Sequence, residues 1–400
     1  MRLPDAPPPL VLKYYLYQAT VTFGFFWPVF TVFLLHRGLT YTQIGLLGTV
    51  SAAFVVLGEI PTGYVGDRIG RRNGLLVGSV LLSLSLLGFV VARGFVGFAV
   101  LYVLWALGLS FRSGTDDAWL YDALESRLRE DEYTRVRGRG GSVNRWVSAG
   151  TMLVAGGLYA VRPWLPFLAG GLLVAGSIPV LLSMPRSRRA DRADELTVRE
   201  ALPVIRRRLT EPPLRSFVLY VALFFGIVNA ADTFIQPITT RTLGLPAAGL
   251  GPLYAGFTVV AAVASYHAAT IEELLSTRWA VLLVPGLVAA FFVVPLLAPV
   301  AALPLFFAMK SARAVMAPIA SGYLNDRVES AGRATLLSAA SMVYALVRIP
   351  LKPLAGVVAD ATAPLVAVAA LGGFFVLASV AVRAVETPVV GAESDRRTAD

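Results

Sequence analysis

The chain reads as a succession of long apolar runs divided by short polar stretches. A hydrocarbon core roughly 30 Å thick needs about 20 mostly apolar residues per helix, and about twelve runs reach that length. They fall near residues 13–35, 42–63, 74–92, 96–122, 142–161, 164–183, 215–238, 249–269, 279–298, 301–325, 334–358 and 362–383. The pattern predicts an all-α membrane protein of about twelve spanning helices. One helix start is marked. Thr40 and Gln43 fit a capping box, in which the hydroxyl and the amide satisfy free backbone donors at the head of the second run.

Composition agrees with the pattern. Of 400 residues, 56% are hydrophobic and 15% charged, with a mean hydropathy of +0.69, too apolar for a soluble protein of this size. The net charge of +10 does not indicate nucleic acid, because the arginines sit between apolar runs and no basic stripe interleaved with aromatics occurs. Cysteine is absent, which excludes disulfides, thiolate metal sites and cysteine nucleophiles. The opening MRLPDAPPPLVLK lacks the regions of a cleaved signal peptide, so the first helix is expected to remain in the mature chain.

The basic residues are distributed unevenly. The tails and the segments after even-numbered runs hold about 25 Lys and Arg, and those after odd-numbered runs about four, which predicts cytoplasmic termini. The sparse set is Arg37, Arg93, Arg162 and Arg241. The longest and most basic break, 185–214, divides the chain into a first bundle, 1–184, and a second bundle with a short tail, 215–400. Within it Thr197 to Glu200 form another capping box, and Val198, Ala201, Leu202, Ile205 and Leu209 oppose Arg206, Arg207 and Arg208. That pattern fits a helix on the membrane surface, with a solvated linker as the alternative.

The halves resemble each other weakly. Arg112 with Tyr121-Asp122 in the fourth run has a counterpart in Arg313 with Tyr323 to Asp326 in the tenth, as expected of a repeat around a midplane site. Between the second and third runs stands a dense charge cluster: Gly63, Asp67, Arg68, Gly70, Arg71 and Arg72, spaced G-x-x-x-D-R-x-G-R-R. The glycines allow tight reversal, the arginines offer forked hydrogen bonds to carboxylates, and Asp67 can accept from a helix N-terminus. The segment reads as a clasp between helix ends, or more simply as a positive-inside topology signal.

With this motif at every defining position, the chain resembles the major facilitator superfamily over essentially its whole length. The resemblance implies two six-helix bundles with spans one, four, seven and ten lining a cavity, and alternating access by rocking of the halves. It also implies that Asp67 docks near Arg333 to Ser338 and that Arg71 or Arg72 pairs with Asp122. Two departures matter. His267 to Arg278 lacks the clasp pattern, and span five carries Gly150, Gly156 and Gly157 without the Gly-Pro motif of one large drug/proton antiporter branch. The elements HRGLTYTQIGLL, EIPTG and RATLLS are similar to a prokaryotic drug-efflux-like branch.

Ionisable groups inside spans are costly and default to functional candidates. Span four supplies Arg112, Asp116 and Asp117. Arg112 and Asp116 share a helical face, which fits either a structural ion pair or a cavity site, and Asp117 is expected to meet Arg145 of span five. On span seven Asn229, Asp232, Thr233 and Gln236 form one polar stripe. Lys310 and Arg313 on span ten and Arg348 and Lys352 on span eleven fall at similar depth, with Lys352 alternatively snorkelling outwards. The proton-coupling candidates are therefore Asp116, Asp117 and Asp232, with Asp116 first. Arg112, Asn229, Gln236, Lys310, Arg313 and Arg348 are the substrate-cavity candidates. Tyr14, Tyr15, Tyr17, Phe25, Phe26 and Trp27 are expected mostly to face lipid or the interface, with a place on the pathway as the alternative for any one of them, and His36 and His267 to be solvated or satisfied.

The three lysines lie outside any phosphate-binding loop, and neither H-E-x-x-H nor Gly-x-Ser-x-Gly occurs, so no ATP coupling, metal site, cofactor or enzymatic activity is expected. The expected function is secondary transport of a small organic solute across the plasma membrane of a prokaryote, with proton-coupled export leading. Uptake or exchange of a small anionic metabolite is the alternative, and a receptor that binds without transporting is a further one. The partners expected are the solute, protons and the lipid bilayer, with the chain acting as a monomer.

Overall fold

The computed structural model describes residues 8–125, 132–185, 214–327 and 333–389, and every regular element among them is helical. The chain groups into two compact units. The first comprises Met1–Leu39, Val50–Arg192 and Pro246–Ala255, the second Thr40–Thr49, Ala193–Leu245 and Gly256–Asp400. Two short segments thus group with the other half of the sequence, and the capping box lies in one of them. Thr40 N donates to Gln43 Oε1 at 3.1 Å while Gln43 N donates to Thr40 Oγ1 at 3.2 Å.

The helices up to residue 185 are α1 (Pro9–Thr20), α2 (Phe30–His36), α3 (Tyr41–Ile69), α4 (Arg71–Val91), α5 (Gly94–Arg112), α6 (Thr115–Glu125), α7 (Tyr133–Val161), α8 (Leu165–Ala175) and α9 (Ser177–Leu182). Those from residue 214 are α10 (Leu214–Pro237), α11 (Leu250–Tyr266), α12 (Ala268–Phe291), α13 (Val294–Leu297), α14 (Ala302–Asn325), α15 (Arg333–Ala361) and α16 (Pro364–Val385).

Among the described residues ten helical stretches are long and apolar enough to cross a membrane, against about twelve runs in the sequence. The expected span 13–35 is not one helix: α1 stops at Thr20 and helix resumes only at Trp27, just before Pro28. The expected span 142–161 is the later part of α7, whose first turns carry Arg135, Arg137 and Arg139. Span four is also broken, because Ser113 and Gly114, with Gly114 at φ 69°, separate α5 from α6. A positive φ there suits glycine, which lacks the Cβ that makes the left-handed region costly.

The motif Gly63–Arg72 is not the loop its polarity suggests. α3 continues through Pro61 to Ile69, and Gly70 at φ 87° is the one residue between it and α4. His267 to Arg278 is likewise mostly helical, the first turns of α12, interrupted at Ser276 with φ 62°. The surface helix expected around 198–209 lies outside the described residues.

Unit 1 has an aromatic core in which Phe26, Phe33, Phe89, Phe98 and Phe167 are fully buried and Phe89 stacks on Phe167 at 5.1 Å. A second cluster joins Val11, Tyr14 and Tyr17 of α1 to Leu75, Trp119, Leu124 and Leu181. In unit 2, α10 is the hub, with 72% of its membrane stretch buried. Glycine sets its approach to α15: a Cβ on Gly226 would come within 2.6 Å of Leu351 Cδ1.

Candidate functional site

Unit 1 carries an open cavity of about 530 Å³ lined by residues of α1, α5, α6 and α7 and of the breaks that follow α1 and α5. At the first break the chain leaves helical geometry after Thr20, so carbonyls of the last turn lose their intrahelical donors. Asn144 of α7 supplies one, its Nδ2 donating to Gln18 O at 2.9 Å. At the second break α6 starts afresh, which puts Asp116 and Asp117 in its first turn, where the helix dipole favours negative charge.

Asp116 closes a three-membered polar ring. Tyr17 Oη donates to Asp116 Oδ1 at 2.9 Å, Arg112 Nε donates to Tyr17 Oη at 3.2 Å, and Arg112 Nη2 reaches Asp116 Oδ2 at 3.4 Å. The pairing expected from the i, i+4 spacing of Arg112 and Asp116 is present although the helix breaks between them. Asp117 does not meet Arg145. It is held by both arms of Arg137, Nε to Oδ1 at 2.6 Å and Nη2 to Oδ2 at 2.7 Å. Arg137 precedes Arg145 by eight residues, about 12 Å along an α-helix, and the fresh start of α6 aims Asp117 at the earlier turn. Arg145 lines the cavity and forms no ion pair among the described residues.

The sequence placed the aromatics of the first run mostly at the lipid. Instead Tyr14 and Tyr17 are buried, at 2% and 1% exposure, on the inward face they share with Val11, and Phe26 is buried too. Only Trp27 keeps the outward character expected of the set, while Tyr15 and Phe25 are half-buried. His36 and His267 are exposed.

The clasp motif is partly visible. Arg71 Nη1 donates to Ala118 O and to Asp122 Oδ1, each at 2.6 Å, and Arg72 Nη1 donates to Met184 O at 3.1 Å. The arginine that pairs with Asp122 is thus Arg71, while Arg72 ties α4 to the end of α9. Among the described residues Arg68 bonds Tyr64 Oη, at 3.3 Å, and Gly63 faces open space. The expected docking of Asp67 near Arg333 to Ser338 lies outside the described side chains.

In unit 2, Asp232 of α10 forms an ion pair with Lys310 of α14. Lys352 of α15 is within electrostatic reach of Asp232, Lys310, Arg313 and Arg348, and Arg348 of Arg313. Lys352 does not snorkel outwards: its Cδ would lie 3.1 Å from a Cβ on Gly48 of α3. Of the polar stripe on α10, Gln236 is buried, Asn229 and Thr233 are half-buried, and Asn229 Oδ1 is buried without a hydrogen-bond partner. No group of three or more His, Asp or Glu able to hold a metal ion occurs among the described residues.

Sequence and structure comparisons agree with this architecture. The family profile described as Major Facilitator Superfamily matches residues 18–351. The chain is similar to YxaM of Bacillus subtilis, an uncharacterized MFS-type transporter, at 24% identity over 59% of this chain and 60% of the relative. The match therefore spans less than two thirds of that relative. It is also similar to YcaD of Escherichia coli, again an uncharacterized MFS-type transporter, at 23% identity over 74% of this chain and 75% of that one. Among solved structures, a point mutant of the nucleoside transporter NupG superposes with a TM-score of 0.78 at 11% identity, covering 94% of this chain and 99% of that one. A bacterial homolog of the human lysosomal transporter Spinster, inward-facing and unoccupied, gives 0.68 at 17% identity, with 94% of each chain covered. At these identities the structural likeness establishes the fold.

Proposed function

Because this chain belongs to the major facilitator superfamily, we propose that it is a secondary active transporter, not an enzyme, and that it exports a small organic solute in exchange for protons by alternating access. The observation that carries the coupling is the Asp116 carboxylate at the wall of the unit 1 cavity, held by Tyr17 and Arg112. A proton carrier must be sheltered from bulk water yet reachable from it, and must change its partners when it titrates. Asp116 meets each requirement. When it is charged, Arg112 is neutralised; when it is protonated, Arg112 is left with the Tyr17 oxygen and becomes available to solute. Asp117, by contrast, is engaged by both arms of an arginine, and Asp232 by a lysine.

The decisive experiment is flux in proteoliposomes. Asp116→Asn is expected to abolish accumulation driven by a proton gradient while solute exchange continues at about its normal rate. Accumulation retained in Asp116→Asn would refute the assignment.

Cytoplasmic termini in a prokaryotic plasma membrane form part of the same reading, supported by the arginine asymmetry along the sequence. The chain has no cysteine, so single cysteines at Ser187 and Thr242 test the orientation directly. An impermeant thiol reagent added outside is expected to label position 242 and not 187, and the opposite pattern would reverse the topology.

A further inference from the structure

Unit 2 holds an unbalanced charge. Asp232, Lys310, Arg313 and Arg348 all lie within electrostatic reach of Lys352, with Arg313 exposed and Arg348 half-buried, so among the described residues four cations less one anion leave three positive charges. Lys310 is the cation that pairs with Asp232, whereas Arg313 and Arg348 form no hydrogen bond or ion pair among the described residues. Charge of this kind within a membrane-spanning bundle is costly, and an arginine cannot relieve the cost by giving up its proton. Two further polar atoms there are also unsatisfied: Asn229 Oδ1 and Tyr344 Oη are buried without partners. Tyr344, Arg348 and Lys352 recur at four-residue intervals on α15, which sets them along one side of the helix. Asn229 lies one turn from Gly226, the point where α10 meets Leu351 and the backbone of Arg348.

We infer that this cluster is an oxyanion-binding site and that the transported solute carries a compact dianionic group, of the class of a phosphate monoester or a vicinal dicarboxylate. The inference rests on the transporter reading above but not on its proton assignment. Two guanidinium groups offer paired N–H donors that match the oxygens of such a group, and Lys352 adds a point charge. Charge counting selects the dianion. A neutral solute would leave all three surplus charges in place and a monoanion two, whereas a dianion leaves one. The Tyr344 hydroxyl supplies a further neutral donor of the kind that fixes orientation. Asn229, whose amide can present either its oxygen or its nitrogen, is placed to read the uncharged part of the solute.

The test is equilibrium binding to the purified full-length chain in detergent, read as thermal stability. Sodium sulfate and sodium phosphate are compared with sodium chloride at matched ionic strength. Both dianions are expected to raise Tm along a saturable curve with a midpoint of a few millimolar. That midpoint should move at least about tenfold higher in Arg348→Gln and in Arg313→Gln, and stay in place in Arg162→Gln, an exposed arginine of unit 1. A rise that never saturates, or that is the same in all four proteins, would reflect general exclusion of salt and would overturn the inference. Phenyl phosphate and maleate separate the two solute classes by which binds more tightly; benzoate binding as tightly as both would remove the case for a dianion. If the glutamine variants do not fold, the unaltered chain serves instead: phosphate is expected to protect Arg313 and Arg348 from phenylglyoxal, quantified peptide by peptide, and absence of protection overturns the inference. These measurements need no gradient, so they succeed or fail separately from the Asp116→Asn flux experiment.

Discussion

Arg71 and Asp116 show how much one side chain can be asked to do. Arg71 sits one residue after the Gly70 turn, and a single nitrogen binds both the Ala118 carbonyl and the Asp122 carboxylate, joining α4 to α6. None of these groups lines the unit 1 cavity. Its removal is therefore predicted to disturb the balance between conformations rather than the affinity for solute, since only contacts that differ between states shift such a balance. In Arg71→Ala we expect turnover to fall by at least about tenfold, equivalent to about 1.4 kcal/mol in the barrier, with solute affinity changed by less than about twofold. Stopped-flow transport paired with equilibrium binding measures both, and equal losses in the two would place Arg71 in the binding site instead. Asp116 was legible in the sequence as a charge in the fourth apolar run; Tyr17 was not. A tyrosine among nine aromatics in one run carries no sign of which way it points, and only the buried ring and its hydroxyl bond to Asp116 single it out.

Whole helices are positioned in this chain by glycine and by caps. In unit 2, the start of α3 lies so close to α15 that a Cβ on Gly45 would be 2.6 Å from Pro353 Cα, and one on Gly356 would be 2.5 Å from the Tyr41 carbonyl. Asp360, near the end of α15, accepts from Tyr41 N and Thr42 N at 2.8 Å each and from Thr42 Oγ1 at 2.6 Å, capping the free donors that the Thr40–Gln43 box leaves. Gly45→Val is predicted to cost about 1–3 kcal/mol through overpacking. Gly150→Ala, in α7 with open space around it, should be neutral or stabilising by up to about 1 kcal/mol. Thermal unfolding in detergent checks the pair, and a Gly45→Val protein as stable as Gly150→Ala would mean that α3 can shift without penalty. The capping box was legible because its signal lies within four residues. Asp360 was not, being more than 300 residues away in sequence. The breaks after Thr20 and Arg112 escaped for a related reason: Gly24 with Pro28, and Ser113 with Gly114, are weak interruptions inside runs whose apolar content looks continuous. It is these breaks that create the wall on which Asp116 stands, so the candidate site was less legible than the fold.

For the whole molecule, the two proposals together fix an electrical signature. Moving one elementary charge across the membrane is worth about 2.3 kcal/mol per 100 mV. A dianion leaving the cell and a proton entering both carry positive charge inwards in effect, so a negative interior drives each of them. Export should therefore be strongly electrogenic, with the potential contributing more than the chemical gradient of a single proton at modest pH differences. We predict that, in proteoliposomes loaded with a dianionic solute, an inside-negative potassium diffusion potential raises the initial efflux rate severalfold, and that an inside-positive one suppresses it. The same surplus of cations in unit 2 explains why charge on the solute, not its bulk alone, should govern this response: a neutral solute would leave only the proton to sense the field, and its efflux would respond less steeply. Efflux indifferent to potential would point to electroneutral exchange of one anion for another, and acceleration by an inside-positive potential would point to uptake. Solid-supported membrane electrophysiology separates the three outcomes by the sign and size of the current.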